Sequence, residues 1–347
     1  MANSPFSFSN RCVPLDQALK PRLRALVDGK AKPLGALGRV EDLALHIGLV
    51  TQTLQPDLGR AAIVIFAGDH GVIDEGVAAY PSDVSSVIAE MILAGTAGAS
   101  IAARASGAAV FLADAGLAGD LPGDANVLAR KVGRRTRNFA REAAMGLEEA
   151  QTAFERGVTI ATDLKMDGYG ILALGEVGIG NSSAAAAVSH QVTGLPLSVL
   201  VGAGAGAPPE GIDHKRRVIA KACERAGVCD PFEAMRQLGG YEMAMMLGAI
   251  FGGVENRQIL LVDGFIATAV ACTAVAMDPH VGDYLLYAHL SPELGHAALL
   301  EWLGAKPLLD LGMRLGEGTG AALAIPIVRM AEGLLSAMAD LPGAHPA

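Results

Sequence analysis

Residues 61–71 read Ala-Ala-Ile-Val-Ile-Phe-Ala-Gly-Asp-His-Gly, a continuous apolar run of strand length that stops abruptly at glycine and polar side chains. A strand with one wet face would alternate apolar and polar residues. A run without alternation predicts a strand covered on both faces, as in a parallel sheet. The same grammar recurs along the chain. Ala108–Leu112 leads into Ala113-Asp114-Ala115-Gly116, Tyr169–Leu174 into Gly175-Glu176-Val177-Gly178, and Leu195–Val201 into Gly202-Ala203-Gly204. Gln258–Val262 leads into Asp263-Gly264, and Tyr284–Ala288 into His289-Leu290-Ser291.

Helical apolar spacing fills the intervals, over Asp83–Leu93, Glu148–Leu164, Ser182–Val192, Glu210–Ala226, Tyr241–Phe251, Ile266–Ala276 and Pro292–Leu303. Strand, loop and helix in series predict an α/β fold, a Rossmann-like and mainly parallel sheet with helices on both faces and right-handed crossovers. Leu15–Val27, Val40–Val50 and the last helix, Glu317–Met338, have no strand to cover. They are expected to form a smaller helical domain from both chain ends. The expected division is a helical segment over 1–58, an α/β domain over 59–310, and a loop with the returning C-terminal helix over 311–347. The Ser/Asn/Phe-rich first ten residues are expected to be loosely held.

In open α/β sheets ligands bind outside the carboxyl ends of the strands, where the strand order reverses. Asp69, Asp114, Glu176, Asp263 and Ser291 each fall just after an apolar strand and are expected along that edge.

At 347 residues the chain can bury one large core, or a core with a satellite. Acidic residues outnumber basic ones 36 to 27, a net charge of −9, which argues against a nucleic-acid or anionic-membrane partner. Aromatic residues, at 4%, give little platform for stacking single-stranded bases. Cys12, Cys223, Cys229 and Cys272 have no CxxC spacing, which predicts reduced thiols and a cytoplasmic setting. No charged segment leads into an apolar one at the N-terminus, so no signal peptide is expected. The longest apolar block, Phe265–Met277, falls short of the roughly 18 residues of a membrane span, and a soluble protein is expected.

The glycines, 43 in all, gather in loops after the apolar runs. Gly175–Ser183 (GEVGIGNSS) joins a strand to a helix opened by Asn181 or Ser182, both good N-cap residues. Exposed amides and the helix dipole would make it a phosphate cradle; tight strand–helix packing would also call for its glycines. It is neither a Walker loop nor GxGxxG. Gly202, Gly204 and Gly206 alternate with alanine, as a flexible turn or as a widening of that anion site. Lys215 begins a basic run, Lys215-Arg216-Arg217, that reads as a solvated helix face or as a lysine turned to a phosphate. His70 reads as a base, a ligand, or a histidine hydrogen-bonded at a strand end. His289, Glu293 and His296 lack the HExxH pattern, and no metal is expected. No GxSxG elbow supports a serine hydrolase.

Near the end stands Leu315-Gly316-Glu317-Gly318-Thr319-Gly320. Glycines on both sides of Glu317 let a ligand approach, and a helix start behind it would favour its charged form. The residues alone leave Glu317 as either a base or a decoration of that helix start.

Taken in order, Lys32-Pro33-Leu34-Gly35-Ala36-Leu37-Gly38-Arg39, AGDHG, GEVGIGNSSAAAA, LGGYEMAMMLGAI, VDGFIATAVA and LLDLGMRLGEGTGAALA resemble one family over nearly the whole chain: nicotinate-nucleotide–dimethylbenzimidazole phosphoribosyltransferase. The departures are small. Val177 stands where the family usually has Met, Ser182-Ser183 where it has Thr-Thr, and Ala36 where it has Ser. The resemblance implies transfer of the phosphoribosyl group of nicotinate mononucleotide to 5,6-dimethylbenzimidazole, with inversion at C1′, by a homodimer with no cofactor. It implies that Glu317 is the general base, since the pyridinium leaves unprotonated while the benzimidazole must shed a proton. It implies a nucleotide-binding α/β domain in which Gly175, Gly178, Gly180, Asn181 and Ser182 take the phosphate, with Gly202, Gly204, Lys215 and Ser291 nearby. Glu176 and Asp263 are candidates for the ribose or its developing charge. Leu315 and Gly316, with Tyr80, Ser82 and Met91, are candidates for the flat base. A nucleosidase, in which Glu317 activates water, and a nucleotide-binding sensor are the alternatives.

Overall fold

The computed structural model describes residues 12–204 and 209–342. The expectation for the first ten residues, and the position of Gly206, lie outside the described residues.

Six strands form one sheet: β1 (Arg60–Gly68), β2 (Ala109–Gly116), β3 (Val127–Ala129), β4 (Tyr169–Val177), β5 (Ile259–Val262) and β6 (Leu285–Tyr287). Their order is β3-β2-β1-β4-β5-β6, and every neighbouring pair is parallel. The order reverses between β1 and β4, so their C-terminal ends flank the crevice of the sheet. All nine residues of β4 are buried, whichever way their side chains point, because helices cover both faces.

Tyr241–Glu255 runs across β1, β2, β4 and β5, with Leu147–Met166 packed along it. Glycines let these two helices touch backbone to backbone: a Cβ on Gly157 would lie 1.8 Å from the Met245 carbonyl oxygen, and one on Gly248 1.8 Å from that of Phe154.

The closing helix, Thr319–Ser336, differs from expectation in two ways. It starts two residues after Glu317, and it does cover strands, resting on β1, β4 and β5. It also packs on Arg39–Thr51 and Gly98–Ser106. Residues 29–31 and 339–341 meet, with the Ala31 amide donating to the Ala339 carbonyl at 2.8 Å and that of Leu341 to the Gly29 carbonyl at 2.8 Å. The Lys32–Arg39 segment is a structural joint: Lys32 pairs with buried Glu41 at 2.9 Å, and Arg39 donates to the carbonyls of Lys306 and Pro307.

Other expectations are corrected. Leu195–Val201 is not a strand; it holds a single helical turn, Leu197–Leu200, since so short an apolar run fits a buried helical turn as well as a strand. β3, and the helices Gly98–Ser106 and Pro231–Leu238, were not expected. The helix expected over Pro292–Leu303 is confined to His296–Trp302. Asp83–Ser106 and Thr319–Ser336 are long and apolar enough for a membrane span, although the sequence points only to the shorter Phe265–Met277. The first stretch is two helices, Asp83–Leu93 and Gly98–Ser106, parted by a turn at Gly95 (φ +75°), and the second lies on the sheet.

Candidate active site

A cavity of about 340 Å³ opens at the carboxyl edge of the sheet, a size suited to a small molecule. One wall is the loop after β4 and the helix it opens, Asn181–Thr193. Gly180 (φ +99°) turns the chain into that helix, and a Cβ on Gly178 would lie 1.9 Å from the Gly68 carbonyl oxygen, so only glycine lets the loop sit on the end of β1. The first i to i−4 bond of the helix is Ala184 to Gly180. Asn181 and Ser183 bond within the turn, and among the described residues nothing takes the Ser182 amide, which stands at the positive end of the helix dipole.

Lys215, on Pro209–Ala226, is buried against this end and donates to Ser182 Oγ at 2.9 Å and the Gly202 carbonyl at 3.4 Å. Burial lowers its ammonium to about 8, against the opposing pull of Glu293. Glu293 accepts from the Gly204 amide at 3.1 Å, and Ser291 Oγ accepts from the Glu293 amide at 3.2 Å, so both hold this corner. A buried cation beside a helix N-terminus is an arrangement that an anion would complete.

The opposite wall carries Glu317. Gly316 (φ +79°), Glu317 (φ +62°) and Gly318 (φ +78°) are three successive left-handed residues. That conformation costs a non-glycine residue of order 1–3 kcal/mol. It is held by Asp263, which accepts from the Gly318 amide at 3.2 Å and the Ala321 amide at 2.8 Å and so caps the following helix. It is also held by Gly175, whose Cβ would lie 2.6 Å from the Gly318 nitrogen.

The Glu317 carboxylate is buried and takes the Ala99 amide in the first turn of Gly98–Ser106. Among the described residues its Oε2 has no hydrogen-bond partner. Burial raises its pKa despite the Ala99 amide, and the charge of Asp263 adds to the rise. Burial thus opposes the charged form that the sequence reading favours, and the amide that supports it comes from the helix Gly98–Ser106.

Glu176 lies between the two walls. Asn181 Nδ2 donates to its Oε2, and its Oε1 lies against Gly316, where a Cβ would come within 2.6 Å. Burial, then the charges of Asp263, Glu242 and Glu317, push its carboxyl up to about 8.

Of the expected site residues, Glu317, Glu176, Gly178, Gly180, Asn181, Ser182, Gly204, Lys215, Ser291, Leu315, Gly316 and Tyr80 line the cavity. Gly175 and Asp263 lie behind the wall and hold the Glu317 turn, and Gly202 packs under Glu293 and Leu294. Ser82 and Met91 do not line it. Of the strand-end carboxylates, Asp69 and Asp114 are also off the cavity; Asp114 pairs with Lys131 at 3.1 Å. His70 is buried against Glu242 at 2.7 Å, a histidine bonded at a strand end. His296 bonds Thr268 and the Ser291 amide. Among the described residues no group of three or more His, Cys, Asp or Glu is arranged to hold a metal.

Sequence reading missed Glu293 and His289 as cavity residues, having weighed them only as metal ligands, and missed Arg314, Phe265 and Ile266 altogether. The adjacency of Phe265 to Asp263-Gly264, and of Arg314 to Leu315, was the available signal.

The fold and cavity suit a small anionic ligand, and the class is given by the family model DBI_PRT, described as phosphoribosyltransferase, which matches residues 12–345. Nicotinate-nucleotide–dimethylbenzimidazole phosphoribosyltransferase of Cupriavidus necator is 44% identical over 95% of this chain and 96% of that protein. The enzyme of the same name from Geobacter sulfurreducens is 41% identical over 95% of this chain and 94% of that protein. The crystal structure of CobT from Thermus thermophilus superposes with a TM-score of 0.88 at 41% identity, over 92% of this chain and 96% of that one. The chain belongs to the nicotinate-nucleotide–dimethylbenzimidazole phosphoribosyltransferase family.

Proposed function

We propose that the protein moves the 5-phosphoribosyl group of nicotinate mononucleotide to 5,6-dimethylbenzimidazole, giving α-ribazole 5′-phosphate and nicotinate for the lower ligand of cobalamin. Family membership supports the reaction, and the unpartnered Oε2 of Glu317 is the observation that carries the mechanism. The pyridinium departs as nicotinate, its ring nitrogen made neutral by the bonding pair it keeps, and needs no acid. The benzimidazole attacks C1′ through one ring nitrogen while its other nitrogen gives its proton to Glu317 Oε2. Attack opposite the departing ring converts the β to the α anomer. A base works best with a pKa near the working pH, and burial moves Glu317 in that direction.

The phosphate lies at the Ser182 end, where Lys215 and the helix dipole meet it. Glu176 sits nearest the ribose, as a partner for its hydroxyls. The acceptor ring lies against Leu315 and Tyr80, with Ser82 and Met91 on the bordering segment.

We further read the enzyme as a cytoplasmic homodimer whose chain ends make a small helical domain beside the nucleotide-binding one. All four cysteines are free, in keeping with a reducing compartment. Tyr80 and Leu315 line the cavity yet are 50% and 56% exposed, an apolar rim suited to a partner subunit.

Incubation with nicotinate mononucleotide and no benzimidazole tests the reading against a nucleosidase. Turnover is expected to need the acceptor, and hydrolysis at the full rate would overturn the proposal.

A further inference from the structure

We infer that Ser85 is a positioning residue for the anion loop, and through it for the phosphate end of the nucleotide. The inference rests on the transferase reading only for the identity of the phosphate-bearing ligand. At the switch point the loops leaving β1 and β4 must part, and Ser85 spans the parting. It lies in Asp83–Leu93 and is fully buried. Its hydroxyl donates to Asp69 Oδ1, just past β1, at 2.5 Å. The same oxygen accepts from the Ile179 amide, just past β4, at 2.9 Å.

Asp69 is itself fixed, because its other oxygen accepts from the Ala118 amide at 2.9 Å. The Ser85 proton therefore has one destination, and the oxygen keeps a lone pair aimed at Ile179. That bond sets the peptide between Gly178 and Ile179, and so the direction of the amides that follow up to Ser182. Ser183 and Asn181 bond back within the turn, so a rotation at Ile179 would carry the whole loop with it. Nothing else in the described residues bonds the Ile179 amide. Ile88, on the same helix, lines the cavity, which makes a selective effect on the phosphate a demanding test.

The test compares wild type with Ser85→Ala, Ser85→Thr and Asp69→Asn. It measures the steady-state constants for both substrates and the calorimetric affinity for ribose 5-phosphate. Removing the acceptor of a buried amide in Ser85→Ala is expected to raise KM for nicotinate mononucleotide and weaken ribose 5-phosphate roughly tenfold. KM for dimethylbenzimidazole and kcat should stay within about twofold. Ser85→Thr, which keeps the hydroxyl, should restore the wild-type values. Asp69→Asn, which swaps one of the two accepting oxygens for a donor, should move them the same way as Ser85→Ala. If Ser85→Ala does not fold, the Asp69→Asn and Ser85→Thr pair decides by the same split. Equal rises in both KM values, or a fall in Tm with unchanged ribose 5-phosphate affinity, would overturn the inference. A wild type whose ribose 5-phosphate binding depends on Ser85 but which forms no α-ribazole phosphate would support it and contradict the transferase reading.

Discussion

Glu317 is held in a backbone conformation that disfavours it, with a carboxylate that burial makes more basic and an oxygen that no group among the described residues occupies. Such strain persists only where surrounding contacts over-determine it, and here Asp263 and Gly175 do so. Glu317→Gln keeps the shape and the Ala99 contact but cannot take a proton. It is expected to lower kcat at least about a hundredfold with little change in KM for nicotinate mononucleotide. Near wild-type turnover in a stopped assay would refute the role.

The pH dependence of kcat/KM should show both ends of the site. On the acid side activity falls as Glu317 protonates, at a pH above the ordinary carboxylate range, since its pKa is raised. On the alkaline side Lys215 loses its charge, and Glu176 gains one, as pH rises through about 8. Both changes weaken phosphate binding. Lys215→Met should lower kcat/KM and flatten the part of that limb that lysine contributes; an unaltered alkaline limb would show that Lys215 does not set it.

At the scale of elements, the contact between Leu147–Met166 and Tyr241–Glu255 depends on glycine. Gly157→Ala would drive a methyl group into the Met245 carbonyl. Overpacking of this kind costs about 1–3 kcal/mol, so a Tm several degrees lower is expected by calorimetry, and an unchanged Tm would show that the helices part freely. The central strands were legible because β1 and β4 are apolar on nearly every residue, as only a doubly covered strand can be, whereas the three-residue β3 was not. The short run Leu195–Val201 has the same composition, and periodicity over so few residues does not separate a strand from a buried helical turn. Gly98–Ser106 escaped notice because it is built largely of Gly, Ala and Ser, and Ala97 at its start offers no capping side chain. That helix provides the Ala99 amide to Glu317, so the most local feature of the base lay in the least legible element.

For the whole molecule, the strand-end rule places the carboxylates on one edge, but which of them face the cavity depends on side-chain partners that spacing does not record. Asp263 turns away to cap a helix, and Asp69 turns to Ser85. Whether Glu317 from the chain's end reaches the sheet edge was likewise open in the sequence. It does so because Thr319–Ser336 lies on β1, β4 and β5 and starts at their C-terminal side. Sedimentation should give twice the 35.5 kDa of one chain, and a monomer at micromolar concentration would remove the partner expected at Tyr80 and Leu315. The central claim is tested most directly by the products formed from nicotinate mononucleotide with dimethylbenzimidazole and competing benzimidazoles, identified by mass spectrometry with the anomer assigned by NMR. The account predicts equimolar nicotinate and α-ribazole 5′-phosphate in the α configuration; a β-linked product, or ribose 5-phosphate in place of a ribazole, would contradict it.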